Sequence, residues 1–397
     1  SFEVVDVVHG ILKFPSYVRT IVDTEEFQRL RNIKQLGNTT LVFPGAAHTR
    51  FEHCLGVAHL VQHFLAVLEQ NSGRCIDESL KKYVLIAGLL HDLGHGPFSH
   101  MWEKFVHSRD DKTWKHEETS CALVERIFQR LSLSDCSKEH IRGVLLIKSL
   151  ILGDGETLRK LLPKEDMFLS EIVSNPFCEV DVDKWDYIVR DAFYLKHAIE
   201  ISLDFLKLFQ RAKISYDKEG VSHISYHVDD LSNILRLFET RSKLHREVYQ
   251  LPFVALFEAY MRDILVSAEV NGFTVDGVKL SEAHRHLETF LLVDDMIVKV
   301  IQMDGNPRLR PTKEMIVRML QRKLYKKIIP EEGMVNGEGG NTAECVVQRI
   351  DLPKVPKNLP VHIDNMGGFY QPFLEDRSIL TKTITYKTKI NADQTDH

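Results

Sequence analysis

An adjacent His91-Asp92 pair closes an apolar run, Tyr83-Val84-Leu85-Ile86-Ala87-Gly88-Leu89-Leu90, and leads into Leu93-Gly94-His95-Gly96. At the mouth of a buried helix, an imidazole nitrogen beside a carboxylate oxygen suits one divalent metal. A second His lies upstream in Arg50-Phe51-Glu52-His53, and a second Asp far downstream in Asp181-Val182-Asp183-Lys184-Trp185-Asp186. Two His and two Asp form a mixed nitrogen and oxygen set that suits iron, manganese, nickel or zinc better than a purely oxygen-seeking ion. Such an ion would polarise a phosphoryl oxygen and bring the pKa of a coordinated water toward neutrality. His95, His100 and His116 follow the pair, and imidazole is the natural group for passing a proton to a departing alkoxide near pH 7. One histidine means little in a chain with 19 of them, and His91-Asp92 alone could simply cap a helix. The agreement of several placements is what carries weight.

Two stripes could hold a polyanion beside the ion. Asp183, Tyr187 and Asp191 recur every four residues, so a helix sets them on one face, with Lys184 flanking. Arg241, His245 and Tyr249 repeat that spacing within Glu239 to Gln250. Arg grips phosphate through a planar fork, Lys acts as a point charge, and Tyr offers a ring and a hydroxyl. Arg50, three residues before His53, adds a cation next to the metal set. Taken singly, either stripe could be a solvated amphipathic face. No G-x-x-x-x-G-K-[ST] is present, so this is not a P-loop protein.

The elements that must position these residues are mostly helices. Segments 52–69, 117–131, 229–249, 252–268 and 286–303 carry apolar residues at three- and four-residue spacing. Asp77 or Ser79 could cap the helix that ends at Leu90. His53 starts one helical run, His91-Asp92 ends another and Asp183 opens a third, so three helix termini could converge on one ion. One hairpin is expected at 213–226, around Asp217-Lys218-Glu219-Gly220. After Pro330 the composition shifts. Glu331 to Thr342 is rich in Gly, Glu and Asn without any period, as in a linker, and Cys345–Ile350 and Ile379–Tyr386 look like strands. The expected fold is mainly α, with a small hairpin and a short α+β appendage. The expected division is a hydrolase domain over 1–325, a linker over 326–345 and a strand-containing lobe over 346–397.

Composition bounds the function. At 397 residues, with 44% hydrophobic and 27% charged residues, the chain can bury a large core. A formal net charge of −5 argues against a surface that grips nucleic acid as a whole, while leaving room for a local basic pocket. The most apolar runs, 83–90 and 144–152, fall short of a membrane span. No signal peptide is visible, and the start at Ser1-Phe2 without Met leaves the native N-terminus open. Six cysteines without a C-x-x-C pair point to reduced thiols, and so to nucleus or cytoplasm.

The runs Phe27 to Gly37, Val42 to Ala46, Arg50-Phe51-Glu52-His53, Ala87 to His100 and Asp181 to Tyr187 resemble the SAM-and-HD-domain deoxynucleoside triphosphate triphosphohydrolases, over about residues 2–325. The SAM domain that names that family is not in these residues. The resemblance implies an HD-domain helical core that cleaves a dNTP at the α-phosphorus, releasing deoxynucleoside and intact triphosphate. It implies that His53, His91, Asp92 and Asp183 hold one divalent transition metal, with Mg on the nucleotide phosphates. His95, His100 and His116 would serve the displacement, with His100 the preferred acid and His116 its rival, beside Glu103 where the family has Asp. Arg50, Lys184, Tyr187, Asp191, Arg241, His245 and Tyr249 would hold triphosphate and sugar, while Gln35 and Leu36, with Tyr249, would crowd out a 2′-hydroxyl. Members of the family respond to GTP or dGTP between subunits and assemble as dimers to tetramers. Asp23, Gln28 and Arg31 match the guanine-reading site, and Val42, Phe43 and Asn233 complete the allosteric set. At the second activator site Phe205, His227 and Asp229 stand where the family has basic residues, so that control is expected to be altered or lost. Two other readings share the motifs: an HD phosphodiesterase or 5′-nucleotidase acting on a different phosphorus, and a catalytically silent nucleic-acid-binding scaffold.

Overall fold

A computed structural model describes residues 1–109, 111–131, 138–196 and 209–324, together with the backbone of five later strands. Its centre is the helix Arg50–Ser72, which packs against Glu78–Leu90 on one side and Val182–Tyr194 on another. A capping box starts the central helix. Thr49 N donates to Glu52 Oε1 at 3.0 Å, and the two side chains also bond to each other. Leu55, Val57, Val61, Phe64, Leu65 and Leu68 are buried along it, each contributing roughly 1.5–3 kcal/mol over exposure. By length and mean hydropathy this 23-residue helix could cross a membrane, unlike the shorter apolar runs 83–90 and 144–152. Yet 67% of its apolar window is buried inside the protein, so its hydropathy is that of a core helix.

Asp77 rather than Ser79 caps the second helix, accepting from Ser79 N and Leu80 N. Helices His100–Ser108 and His116–Leu131 follow, each opening on a histidine. The mainly α expectation holds among the described residues. Three local readings change. The 229–249 stripe is an α-helix, Leu231–Leu244, that widens into a π-helical turn over His245–Tyr249 before Pro252–Val270 begins. The 286–303 segment is two short helices, Leu287–Leu291 and Ile297–Met303, because Asp294 and Asp295 between them accept hydrogen bonds from other loops. An antiparallel hairpin, Phe2–Asp6 with Gly10–Phe14, opens a region read as helical.

The second hairpin lies where expected, Lys213–Tyr216 pairing with Ser222–His227. Phe369–Pro372 extends it by pairing with Tyr226 and His227, and Val361–Ile363 adds the outer strand. Cys345–Pro353 and Thr381–Lys389 pair antiparallel along their length, and Ile328–Pro330, within the span read as a linker, joins their other edge. Glu331 to Thr342 lies outside the described residues.

Candidate metal centre and cleft

His53, in the first turn of the central helix, points its Nε2 at the C-terminal end of Glu78–Leu90 and the N-terminal end of Val182–Tyr194. That nitrogen lies 3.1 Å from Asp183 Oδ1 and 3.4 Å from Asp92 Oδ2. His91 Nε2 lies 3.3 Å from Asp183 Oδ1 and 3.4 Å from Asp92 Oδ1. The four residues expected to hold a metal therefore meet at one point. Both Nε2 atoms are buried, and neither makes an aligned hydrogen bond despite these close approaches. Orphaned imidazole nitrogens facing two carboxylates are what a cation site requires, so the donor set fits a divalent transition metal. His53, His91 and Asp92 come close enough together to share one ion, and Asp183 adjoins both histidines.

The other ring nitrogens explain that orientation. His91 Nδ1 donates to Gly88 O at 2.8 Å, and His53 Nδ1 donates to Asp186 Oδ2 at 2.8 Å, so each Nε2 is left as the lone-pair nitrogen. Asp186 is itself gripped by Arg190 through Nε at 2.8 Å and Nη2 at 3.0 Å. Gly56 makes room for this pair, since a Cβ there would run into Asp186 Oδ1 and Arg190 Nη2. Burial would raise the Asp92 carboxyl, but Arg50, whose Nη1 donates to Oδ2, and the neighbouring histidines hold it well below its usual range. Asp183 is likewise held down against its burial, by His53 and His91.

A cleft of about 510 Å³ opens from this centre, within the range of small-molecule sites. One wall carries His95, His100 and His116, with His95 and His116 stacked at a centroid distance of 3.7 Å. Gly94 permits that approach, because a Cβ there would meet His116 O and Ser120 N. Burial, with Arg50 and His116 nearby, holds His95 well below the usual histidine range. Burial would also lower His116, but the Glu103 carboxylate bonded to its Nδ1 reverses the effect. His100 faces the cleft with its side chain 65% exposed. Glu103 stands behind His116 rather than in the lining.

Lys184, Tyr187, Arg241 and His245 also line the cleft. Arg241 Nε donates to Tyr187 Oη at 3.0 Å, and Lys184 Nζ donates to Asp181 Oδ2 at 2.9 Å. Burial and the Arg241 cation hold His245 down to about 3, hence neutral. Gln35, Leu36 and Tyr249 line the same cleft. Asp191 borders it but is buried, taking His48 Nε2 on Oδ1 at 2.6 Å and the Tyr249 hydroxyl on Oδ2. Asp191 therefore braces Tyr249, with both oxygens engaged.

The allosteric candidates lie away from this cleft. Gln28 Nε2 donates to Val22 O at 2.8 Å, Arg31 Nε donates to Gln28 Oε1 at 2.7 Å, and Arg31 stacks over Phe51 at 3.5 Å. Asp23 caps the helix Ser16–Val22 and pairs with Arg19 at 3.3 Å. Val42 and Phe43 pack partly buried against the core, and Asn233 Nδ2 reaches Asp230 Oδ1 at 3.5 Å. Asp229 pairs with Arg211 at 3.4 Å, while its backbone N donates to His227 Nδ1 at 3.2 Å. Phe205 lies outside the described residues.

Sequence reasoning missed several residues. Asp186 and Arg190 carried a usable signal, an acidic and a basic residue at i and i+4 on the helix of Asp183. His9, Asp6, His48 and Ser99 carried none. Ser99 bridges Arg50 Nε at 3.0 Å and Lys34 O at 2.7 Å, with Phe98 and Ser99 both at positive φ.

The helical core and its His–Asp centre define an HD-domain protein, and an HD domain matches residues 50–166. A putative HD domain-containing protein of Acanthamoeba polyphaga mimivirus is 31% identical over 369 residues, covering 85% of this chain and 74% of that protein. The chain belongs to the HD-domain family. The deoxynucleoside triphosphate triphosphohydrolase SAMHD1 homolog of Dictyostelium discoideum is 35% identical over 348 residues, covering 86% of this chain and 63% of that protein. The SAMHD1 enzyme of Bos taurus is 34% identical, covering 83% and 59%. The chain thus spans about six-tenths of the length of these two relatives.

Proposed function

We propose that this protein hydrolyses deoxynucleoside triphosphates to deoxynucleoside and inorganic triphosphate, using one divalent transition metal held by His53, His91, Asp92 and Asp183. One observation supports this reading above the others: a single cleft joins the metal-ligand set to a wall of Lys184, Tyr187 and Arg241, with Gln35, Leu36 and Tyr249 in the same lining. The names of the curated relatives point to the same reaction. An ion in this centre would supply Lewis-acid polarisation of the phosphoryl group. Arg50 brings a fixed cation to the reacting phosphorus from its seat on Asp92 and Ser99. Lys184 and Arg241 exchange Asp181 and Tyr187 for phosphate oxygens when the triphosphate enters, the guanidinium through its fork. His116, bonded to Glu103, keeps a proton within reach of a departing 5′ oxygen and so stands ahead of His100, the acid preferred from the sequence, whose Nδ1 is 3.9 Å from that carboxylate. Leu36 and the braced Tyr249 leave an added 2′-hydroxyl without a partner, which disfavours ribonucleotides.

Regulation is part of the proposal. GTP or dGTP would be read by Asp23, Gln28 and Arg31, driving assembly of a homo-oligomer from dimer to tetramer, with Mg on the nucleotide phosphates. The acidic Asp229 tied to Arg211 supports altered control at the second, deoxynucleotide site. Incubating the chain with Mn, dGTP or dATP, with and without GTP, and identifying the phosphate product tests the reaction. Triphosphate is expected; pyrophosphate or orthophosphate would favour the phosphodiesterase or nucleotidase reading. Activity and oligomer size with GTP alone test the regulation, and a strict need for an added dNTP activator would refute it.

A further inference from the structure

The N-terminal hairpin reaches the metal centre from the far end of the sequence. Its turn presents His9, whose Nε2 donates to Asp186 Oδ1 at 2.6 Å, while Asp186 Oδ2 holds His53 Nδ1. His9 is nearly buried and Asp186 completely so, with side chains 12% and 0% exposed. Asp6 ties the turn to the same network. Its Oδ1 accepts Val8 N at 2.9 Å and His9 N at 2.8 Å, while Arg190 Nη1 donates to its Oδ2 at 2.8 Å. Arg190 in turn holds Asp186. Asp186 thus receives four donated hydrogen bonds: one from His9, one from His53 and two from Arg190.

We propose that His9 is a positioning residue of the metal centre: it fixes the Asp186 carboxylate, and through it the ring orientation of His53, so that the hairpin sets how tightly the ion is held. This rests on the reading that His53 is a metal ligand. Arg190 lies on the same helix as Asp186, so His9 and His53 are the donors that tie each carboxylate oxygen to the rest of the protein, and that tie keeps the imidazole at one tilt and one tautomer. Without the His9 bond, Asp186 Oδ1 retains only Arg190 Nη2, and the carboxylate gains freedom that His53 inherits. Leu12 and Phe14, both buried, anchor the hairpin so that the turn stays against Asp186.

The test uses cobalt(II) as the probe on the whole chain, with content read after equilibrium dialysis and geometry read from the visible d–d bands. The native protein is expected to take up one cobalt that His91→Ala abolishes. His9→Ala is expected to weaken that uptake by about 10- to 100-fold and to shift the bands at saturation, while His9→Gln, which restores a donor, recovers both. Should His9→Ala fail to fold, His9→Phe keeps the bulk beside His59 and removes only the donor. Affinity and bands unchanged in the donor-less variants, with His91→Ala still metal-free, would overturn the role of His9 alone. Native protein that binds no cobalt sensitive to His91→Ala would overturn the metal reading and this proposal with it.

Discussion

At the metal end of the cleft, His53, His91, Asp92 and Asp186 are held by buried bonds to Gly88, Arg50, Arg190 and His9, none of which a substrate could displace. At the end proposed to take phosphate, Asp181 holds Lys184, while Tyr187, with Glu179 at 4.0 Å, holds Arg241, partners that a bound anion would replace. The first arrangement fixes geometry before any substrate arrives; the second keeps Lys184 on a carboxylate and Arg241 on a neutral hydroxyl until an anion replaces them. Preorganisation lowers the reorganisation needed at the reacting atoms, whereas exchangeable pairs give affinity without trapping product.

Breaking the metal end should cost most. Asp183→Ala or His91→Ala is expected to lower turnover by more than about 10³-fold, the scale of several kcal/mol of Lewis-acid stabilisation, while circular dichroism stays close to native. Substantial residual turnover would place the chemistry elsewhere. Breaking the phosphate end should be milder and different in kind. Arg241→Ala is expected to lower kcat/KM by about 10- to 100-fold, chiefly through KM, with Arg241→Lys in between because it keeps charge and loses the fork. A loss confined to kcat would mean that Arg241 acts on the transition state.

Two smaller changes sharpen the contrast. Gly56→Ala forces a methyl against Asp186 and Arg190, and is expected to destabilise the fold by about 1–3 kcal/mol in urea titrations. No loss would mean that the network under His53 is softer than its bonds imply. Glu103→Gln tests the proton. Burial lowers His116 and the Glu103 carboxylate more than offsets it, so the imidazole stays protonated to higher pH and a step needing that proton fades as pH rises through the raised value. Removing the carboxylate should move the alkaline limb of kcat/KM to lower pH. Because the same carboxylate lies 3.9 Å from His100 Nδ1, an unmoved limb would assign the proton to a group other than either histidine.

The ends also differ in how far the sequence revealed them. His53, His91-Asp92 and Asp183 could be found because chemistry demands those residue types at the ends of helices that apolar periodicity already marks. The phosphate stripe could be found because four-residue spacing shares a face, although the π-helical turn at His245–Tyr249 lay outside what that spacing can show. What supports the metal end was hidden. His9 and Asp186 are 177 positions apart and His48 and Asp191 are 143 apart, and no local pattern links residues that meet only after the core has packed. The N-terminal hairpin was missed for a related reason: its inward face, Leu12 and Phe14, is completed by helices, not by its own strands. In the 286–303 segment the apolar period was real, but Asp294 and Asp295 serve other loops and break it.

Hydrolysis of dGTP in ¹⁸O-labelled water tests the central claim most directly, because it reports which bond the two ends of the cleft break between them. Attack at the α-phosphorus with departure of the 5′ oxygen puts the label in the triphosphate and leaves the deoxynucleoside unlabelled, which is the expected result. Label in the deoxynucleoside, or in a nucleotide released alongside pyrophosphate, would contradict it.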